Sequence, residues 1–164
     1  MEPIINSAVT DLLQKQNIAF EVIEIPLSDD KKPIRNLEEL FSAKGLDPTS
    51  VVRSVLFRGG SERFYLLAVA GAGRADWGFL RKQLDERQLR MAEFDEVPEV
   101  TGYVVGAVPP IALPVTLRVM VDSSLHHYET VVIGSGVLGY ALSLKGADLL
   151  ALLAGAEQGE FVKA

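Results

Sequence analysis

The chain's two histidines, His126 and His127, are neighbours, and adjacent residues leave a strand on opposite faces or diverge around a helix. With no cysteine in the sequence and no well-spaced carboxylates beside them, they do not read as a metal site. His126 stays a candidate donor at a pocket wall, and neither a metal nor a cofactor is expected. Ser135 stands in Gly134-Ser135-Gly136, which lacks the longer elbow a nucleophilic serine needs and suits a tight turn equally well. Asp29/Asp30 and Glu38/Glu39 fall in polar stretches, poor surroundings for general acid–base work. Gly71-Ala72-Gly73 is too short a fragment of a phosphate-binding loop and reads as a structural turn. Arg53 is different. It sits among Val51, Val52 and Val55, where a charge is costly unless it enters a cleft or finds a partner. A solvent-facing place beside Arg58 is the other reading.

The second candidate is a stretch of backbone, Thr101 to Pro114, TGYVVGAVPPIALP. Pro109, Pro110 and Pro114 remove donors and fix φ, while Gly102 and Gly106 allow conformations closed to other residues, so neither a long helix nor a central strand runs through it. Val104, Val105, Val108, Ile111 and Leu113 would be costly to expose together. The loop is therefore expected to lie against the core and wall a pocket, with a plain turn between core strands as the alternative.

The elements that must position these residues follow from periodicity. Ile4 to Gln16 repeats apolar residues at helical spacing with Asn6 or Ser7 as a cap, and Asn17 ends it. IAFEVIEI is a strand stopped by Pro26, and residues 26–35 form a polar loop. A short helix starts at Asn36 and ends at Gly45. Residues 51–58 and 63–70 form a hairpin around Gly59-Gly60, expected at the centre of the sheet. Asp76 caps a helix burying Trp77, Leu80 and Leu84. Residues 88–92 form a short strand, and a helical turn precedes the loop. Strands follow at 115–122, 128–136 and 140–144, then a short apolar helix ending at Gly155 with a frayed polar tail. This order predicts an α+β (mixed α/β) fold, a single domain over residues 1–164 with a mixed, mostly antiparallel sheet or partial barrel flanked by helices.

Composition narrows the function classes. The absence of cysteine excludes disulfides and a cysteine nucleophile, and no apolar run approaches the ~20 residues of a membrane span, so a soluble, cytoplasmic protein without membrane contact is expected. The net charge of −6 is uneven: residues 1–90 hold 13 basic and 13 acidic side chains, whereas beyond them only Arg118, Lys145 and Lys163 face nine acids. Any polyanion surface must come from the first ninety residues, where Lys31, Lys32, Arg35 and Arg74 are the candidates.

Thr101-Gly102-Tyr103 followed by Gly106-x-x-x-Pro110 resembles the TGY…GxxxP loop of the YbaK and prolyl-tRNA synthetase editing-domain superfamily. VVRSVLFRGG with FYLLAVAGAGRAD resembles its central strand pair and the turn after it. PVTLRVMVDSSLHHYETVVIGSG and ALSLKGADLLALLAG resemble its later strands and closing helix, so that the resemblance spans most of residues 5–155. It implies a trans-acting aminoacyl-tRNA deacylase that hydrolyses the ester of a small mischarged amino acid, of the Ala, Ser or Cys class, on tRNA-Pro. Arg53, Gly106 and Ala107 would be catalytic. Tyr103, Val108, Pro109, Pro110, Gly134, Ser135, Gly136 and His126 would hold the substrate. Mischarged tRNA is the implied partner, with an aminoacyl-tRNA synthetase as a protein partner. Two departures stand out: Arg53 where the family usually has Lys, and Val137-Leu138 where many members carry a basic pair. They leave a silent editing-domain homologue, acting as a binding or regulatory module, as the alternative function, with a small-molecule binder as a third.

Overall fold

The computed structural model describes residues 5–26, 37–71 and 73–163. The first helix, α1 (Ala8–Lys15), starts where Ser7 and Thr10 cap each other: the Thr10 N–H donates to Ser7 Oγ at 3.2 Å and the Ser7 N–H donates to Thr10 Oγ1 at 2.9 Å. Strand β1 (Phe20–Glu24), helix α2 (Leu37–Ala43) and the hairpin of β2 (Val52–Gly59) and β3 (Phe64–Ala70) follow. The short β4 (Arg74–Ala75) leads into α3 (Trp77–Leu84), whose cap Asp76 accepts from the Phe79 N–H. Then come β5 (Leu89–Met91), α4 (Glu96–Thr101), β6 (Arg118–Asp122), β7 (Thr130–Gly134), β8 (Tyr140–Lys145), α5 (Gly146–Leu152), β9 (Glu157–Gly159) and β10 (Val162–Lys163).

The fold is the mixed α+β type expected, and its strands divide into two main sheets. One has five strands in the order β5-β2-β3-β6-β9, antiparallel on the β5 side and parallel from β3 onward. The other is a three-stranded antiparallel sheet, β1-β8-β7. A single parallel bridge, Val51 to Val132, joins them. Between them lies the larger core cluster, with Val9 and Leu13 of α1, Val52, Ala68, Val121, Ile133, Leu142 and Leu149. The far face of the five-stranded sheet packs Phe57, Tyr65, Val69 and Met120 against Leu80 and Leu84 of α3.

Three local expectations are corrected. The strand assigned from residue 115 starts at Arg118, because the Leu117 N–H turns back to the Pro114 carbonyl and Val115 stands fully exposed. The first helix starts at Ala8, not near Ile4, because the Ser7 cap sets its beginning. The C-terminal tail is not frayed. β9 adds to β6, β10 pairs with β4, Phe161 buries its ring beside Leu80, and the Phe161 N–H donates to Asp122 Oδ1 at 2.7 Å. A single aromatic residue and a buried carboxylate acceptor outweigh the polar character of its neighbours.

Candidate active site

The cavity that matters opens along the free edge of β2. β5 pairs with β2 only over Phe57–Gly59, the bridge holds Val51, and between them Ala92 donates to the Leu56 carbonyl. Among the described residues no strand covers the stretch around Arg53 and Ser54 on that side. Facing this edge are Met91, Phe94 and Val97 of the β5–α4 turn and α4, Val105, Gly106 and Val108 of the loop, and Val132 to Gly134 of β7, around a cavity of about 780 Å³. That is far more than an alanyl, seryl or cysteinyl group fills, and it falls within the range of cofactor and nucleoside sites. Its side chains are mostly aliphatic, and among the described residues no carboxylate lines it.

The loop is held in shape from both ends. Thr101 Oγ1 donates to the Val97 carbonyl at 2.7 Å and accepts from the Tyr103 N–H. Tyr103 Oη donates to the Ala112 carbonyl at 2.6 Å, tying the start of the loop to its far side. Gly106 has φ +94°, a conformation that L side chains rarely adopt. Among the described residues its N–H makes no hydrogen bond. Gly134 is the shelf beneath: a Cβ there would stand 2.4 Å from the Val108 carbonyl oxygen, so only glycine lets the loop pass so close to β7.

The structure thus brings Arg53, Gly106, Val108 and Gly134 to one cavity. It puts the other sequence candidates elsewhere. Ala107 is fully buried and its N–H is committed to the Val104 carbonyl, which removes it as a donor to substrate. Pro109 and Pro110 are buried behind the wall, and Tyr103 and Gly136 pack on each other, 3.0 Å from a glycine Cβ position to the ring. Ser135 is spent on its own turn, accepting from the Val137 N–H and bonding to the Tyr140 carbonyl at 2.8 Å. His126 is exposed on a 3-10 turn away from the cavity. Arg74 is exposed on β4, and Lys31, Lys32 and Arg35 lie outside the described residues.

Arg53 and Ser54 leave the strand on opposite sides. Ser54 shares its face with Val52 and Leu56, and Leu56 packs with Val108 of the loop. Arg53 shares its face with Val55 and Phe57, toward α3, and its guanidinium donates to the Gly73 carbonyl at 2.6 Å. Arg53 thus lines the cavity as a residue of the strand while its guanidinium is carried to Gly73, with most of its five donors left over. Ser54 went unnoticed in the sequence. Its Oγ is the sole buried side-chain polar atom without a hydrogen-bond partner among the described residues, and it lies on the cavity wall. A small polar residue within an apolar strand was the signal available.

Behind the mouth, Glu96 is held by Arg90 at 2.8 Å and Arg58 at 3.0 Å and accepts from the Glu93 N–H. The Arg90 hydrogen bond first, and the Glu93 amide next, lower its carboxyl pKa to about 2.

Such a fold and cavity define a small mixed α+β domain with a largely apolar pocket between a strand edge and a glycine- and proline-rich loop. Residues 31–152 match the aminoacyl-tRNA editing domain family, and the chain belongs to it. It is 25% identical over 122 residues to a proline–tRNA ligase of Kosmotoga olearia, covering 74% of this chain, and 28% identical over 112 residues to that of Thermotoga maritima, covering 68%. The chain spans about a fifth of the length of those ligases. It is also 28% identical to the uncharacterised protein YwhH of Bacillus subtilis, over 69% of this chain and 71% of that one. Among solved structures, a candidate trans-editing enzyme for prolyl tRNA synthetase superposes with a TM-score of 0.76 at 26% identity, over 98% of this chain and all of that one. Among the described residues no helix is long and apolar enough to cross a membrane.

Proposed function

We infer that this protein hydrolyses the ester of mischarged aminoacyl-tRNA in trans, releasing a small amino acid of the Ala, Ser or Cys class from tRNA-Pro. One observation carries the reading: Gly106, whose amide has no hydrogen-bond partner among the described residues, Ser54 and the Arg53 stretch of β2 line a single, largely aliphatic cavity. Water adds to the ester carbonyl, the C–O bond to the ribose breaks, and the ribose hydroxyl leaves with the proton that water gives up. The Gly106 N–H stabilises the developing oxyanion, and the loop, tied by Thr101 and Tyr103, holds that donor in place before substrate arrives. An activated ester needs orientation and a preformed donor more than it needs a nucleophile.

Each aminoacyl ester also brings an amine into a cavity that no carboxylate lines among the described residues. Ser54, whose buried hydroxyl has no partner among the described residues, is the partner for that amine. Arg53 takes the 3′-terminal phosphate at the mouth with the donors Gly73 leaves free. Kinship with a segment of proline–tRNA ligases supports tRNA-Pro, and the β-branched side chains of Val52, Val108, Val132 and Ile133 support a small acyl group.

The second reading, a silent module that binds without turnover, is favoured by the engagement of the Arg53 guanidinium with Gly73. A deacylation panel over Ala-, Ser- and Cys-charged tRNA-Pro, at low and physiological salt, separates the two. Hydrolysis by the wild type that Arg53→Ala abolishes is the result expected. No hydrolysis by the wild type, with activity appearing in Arg53→Lys, would favour the module.

A further inference from the structure

We propose that Phe94 is the stacking platform for the terminal nucleobase of the substrate, an assignment that rests on the deacylase reading above. Phe94 is 78% exposed, the most exposed aromatic side chain among the described residues, and it stands on the border of the cavity with Met91 at 54% and Val105 at 41%. A large ring so exposed is costly unless something covers it. The chemistry of the site names the cover: the scissile ester sits on a ribose, so the base on that ribose emerges within one sugar of the cavity, at its rim.

The turn that carries the ring is also held ready. Phe94 lies in the turn between β5 and α4, where the Glu96 N–H donates to the Glu93 carbonyl at 3.0 Å and the Glu93 N–H donates to Glu96 Oε1 at 2.8 Å. Glu96 is in turn gripped by Arg90 from β5 and Arg58 from β2. A ring on a turn fixed at this many points loses little freedom when a base settles on it. The same grip spends those two cations on a carboxylate, so the rim attracts a base by its apolar face rather than by charge. That suits a chain whose net charge is −6. Stacking on an aromatic ring accepts any base and is insensitive to salt compared with phosphate contacts.

The test compares wild type, Phe94→Ala, Phe94→Leu and Phe94→Trp. Binding of the non-hydrolysable probe 3′-alanylamino-3′-deoxyadenosine is measured at low and physiological salt, alongside deacylation of alanyl-tRNA-Pro. Expected for Phe94→Ala is a rise of about tenfold or more in Kd and KM, with kcat at saturation and the melting temperature unchanged and the same factor at both salts. Trp restores affinity and Leu does not. Equal binding by wild type and Phe94→Ala, restoration by Leu, or no probe binding by the wild type would each overturn the proposal. A wild type that binds the probe but hydrolyses no charged tRNA sinks the deacylase reading, while loss of binding in Phe94→Ala would still uphold the platform.

Discussion

Two serines with buried hydroxyls, Ser54 on the cavity wall and Ser135 in the turn after β7, have opposite lives. Ser135, in the turn after β7, has its hydroxyl fully occupied by the backbone of Val137 and Tyr140, and its carbonyl accepts from Ser7 Oγ at 2.6 Å. Ser54, on the uncovered edge of β2, has a buried hydroxyl with no partner among the described residues. The first is scaffold, because its hydroxyl is satisfied within its own turn. The second stands in debt, and a buried group in that state costs about 1–3 kcal/mol until a ligand satisfies it. The same contrast runs between the loop amides: Ala107 donates within its own turn, whereas Gly106 does not.

Substitutions that erase this contrast are the way to break it. The largest effect belongs to Gly134→Ala, whose Cβ would meet the Val108 carbonyl and force two backbones apart. A loss of about 3 kcal/mol is expected, read as a fall of roughly 10 °C in melting temperature, together with loss of any deacylation. Ser135→Ala comes next. It strands the Val137 N–H and the Tyr140 carbonyl, and a calorimetric loss of about 2 kcal/mol is expected. Ser54→Ala should show the reverse profile, with a melting temperature equal to or above wild type and kcat/KM lower by about tenfold. If Ser54→Ala destabilised the protein as much as Ser135→Ala, the distinction between scaffold and site would be wrong.

The smallest effect concerns the turn under the rim. Glu96 has its folded-state pKa lowered to about 2 from the ordinary 4.5, so its ion pairs stabilise fully above about pH 4.5 and fade as pH falls toward 2. The stability gap between wild type and Glu96→Gln should be complete at pH 6, shrink below pH 4.5 and vanish near pH 2 in urea melts. A gap that stays constant over that window would remove Glu96 from the network.

Much of the fold was legible because its signals are local. The Ser7 and Asp76 caps, the Gly59-Gly60 hairpin and the apolar spacing of α3 each act within a few residues of sequence. The tail was not legible, since Phe161 finds its place only through strands nearly forty and ninety residues earlier. At the site, the loop and Gly134 announced themselves by residue type, and their closeness in space followed from the fold. Arg53 drew attention as a charge among valines, but which face it takes depends on strand parity, which periodicity alone leaves open. Ser54 stayed hidden for a plain reason: whether a hydroxyl is satisfied is a property of its neighbours in space.

The most direct measurement is single-turnover hydrolysis of alanyl-tRNA-Pro by wild type and by Val105→Trp. Val105 is 41% exposed at the cavity border, so a larger ring there closes the entrance without disturbing the core. Acceleration by the wild type over spontaneous hydrolysis, and its loss in a Val105→Trp protein that melts like wild type, is the result expected. Equal rates for the two proteins, or no acceleration by either, would contradict the assignment of chemistry to this cavity.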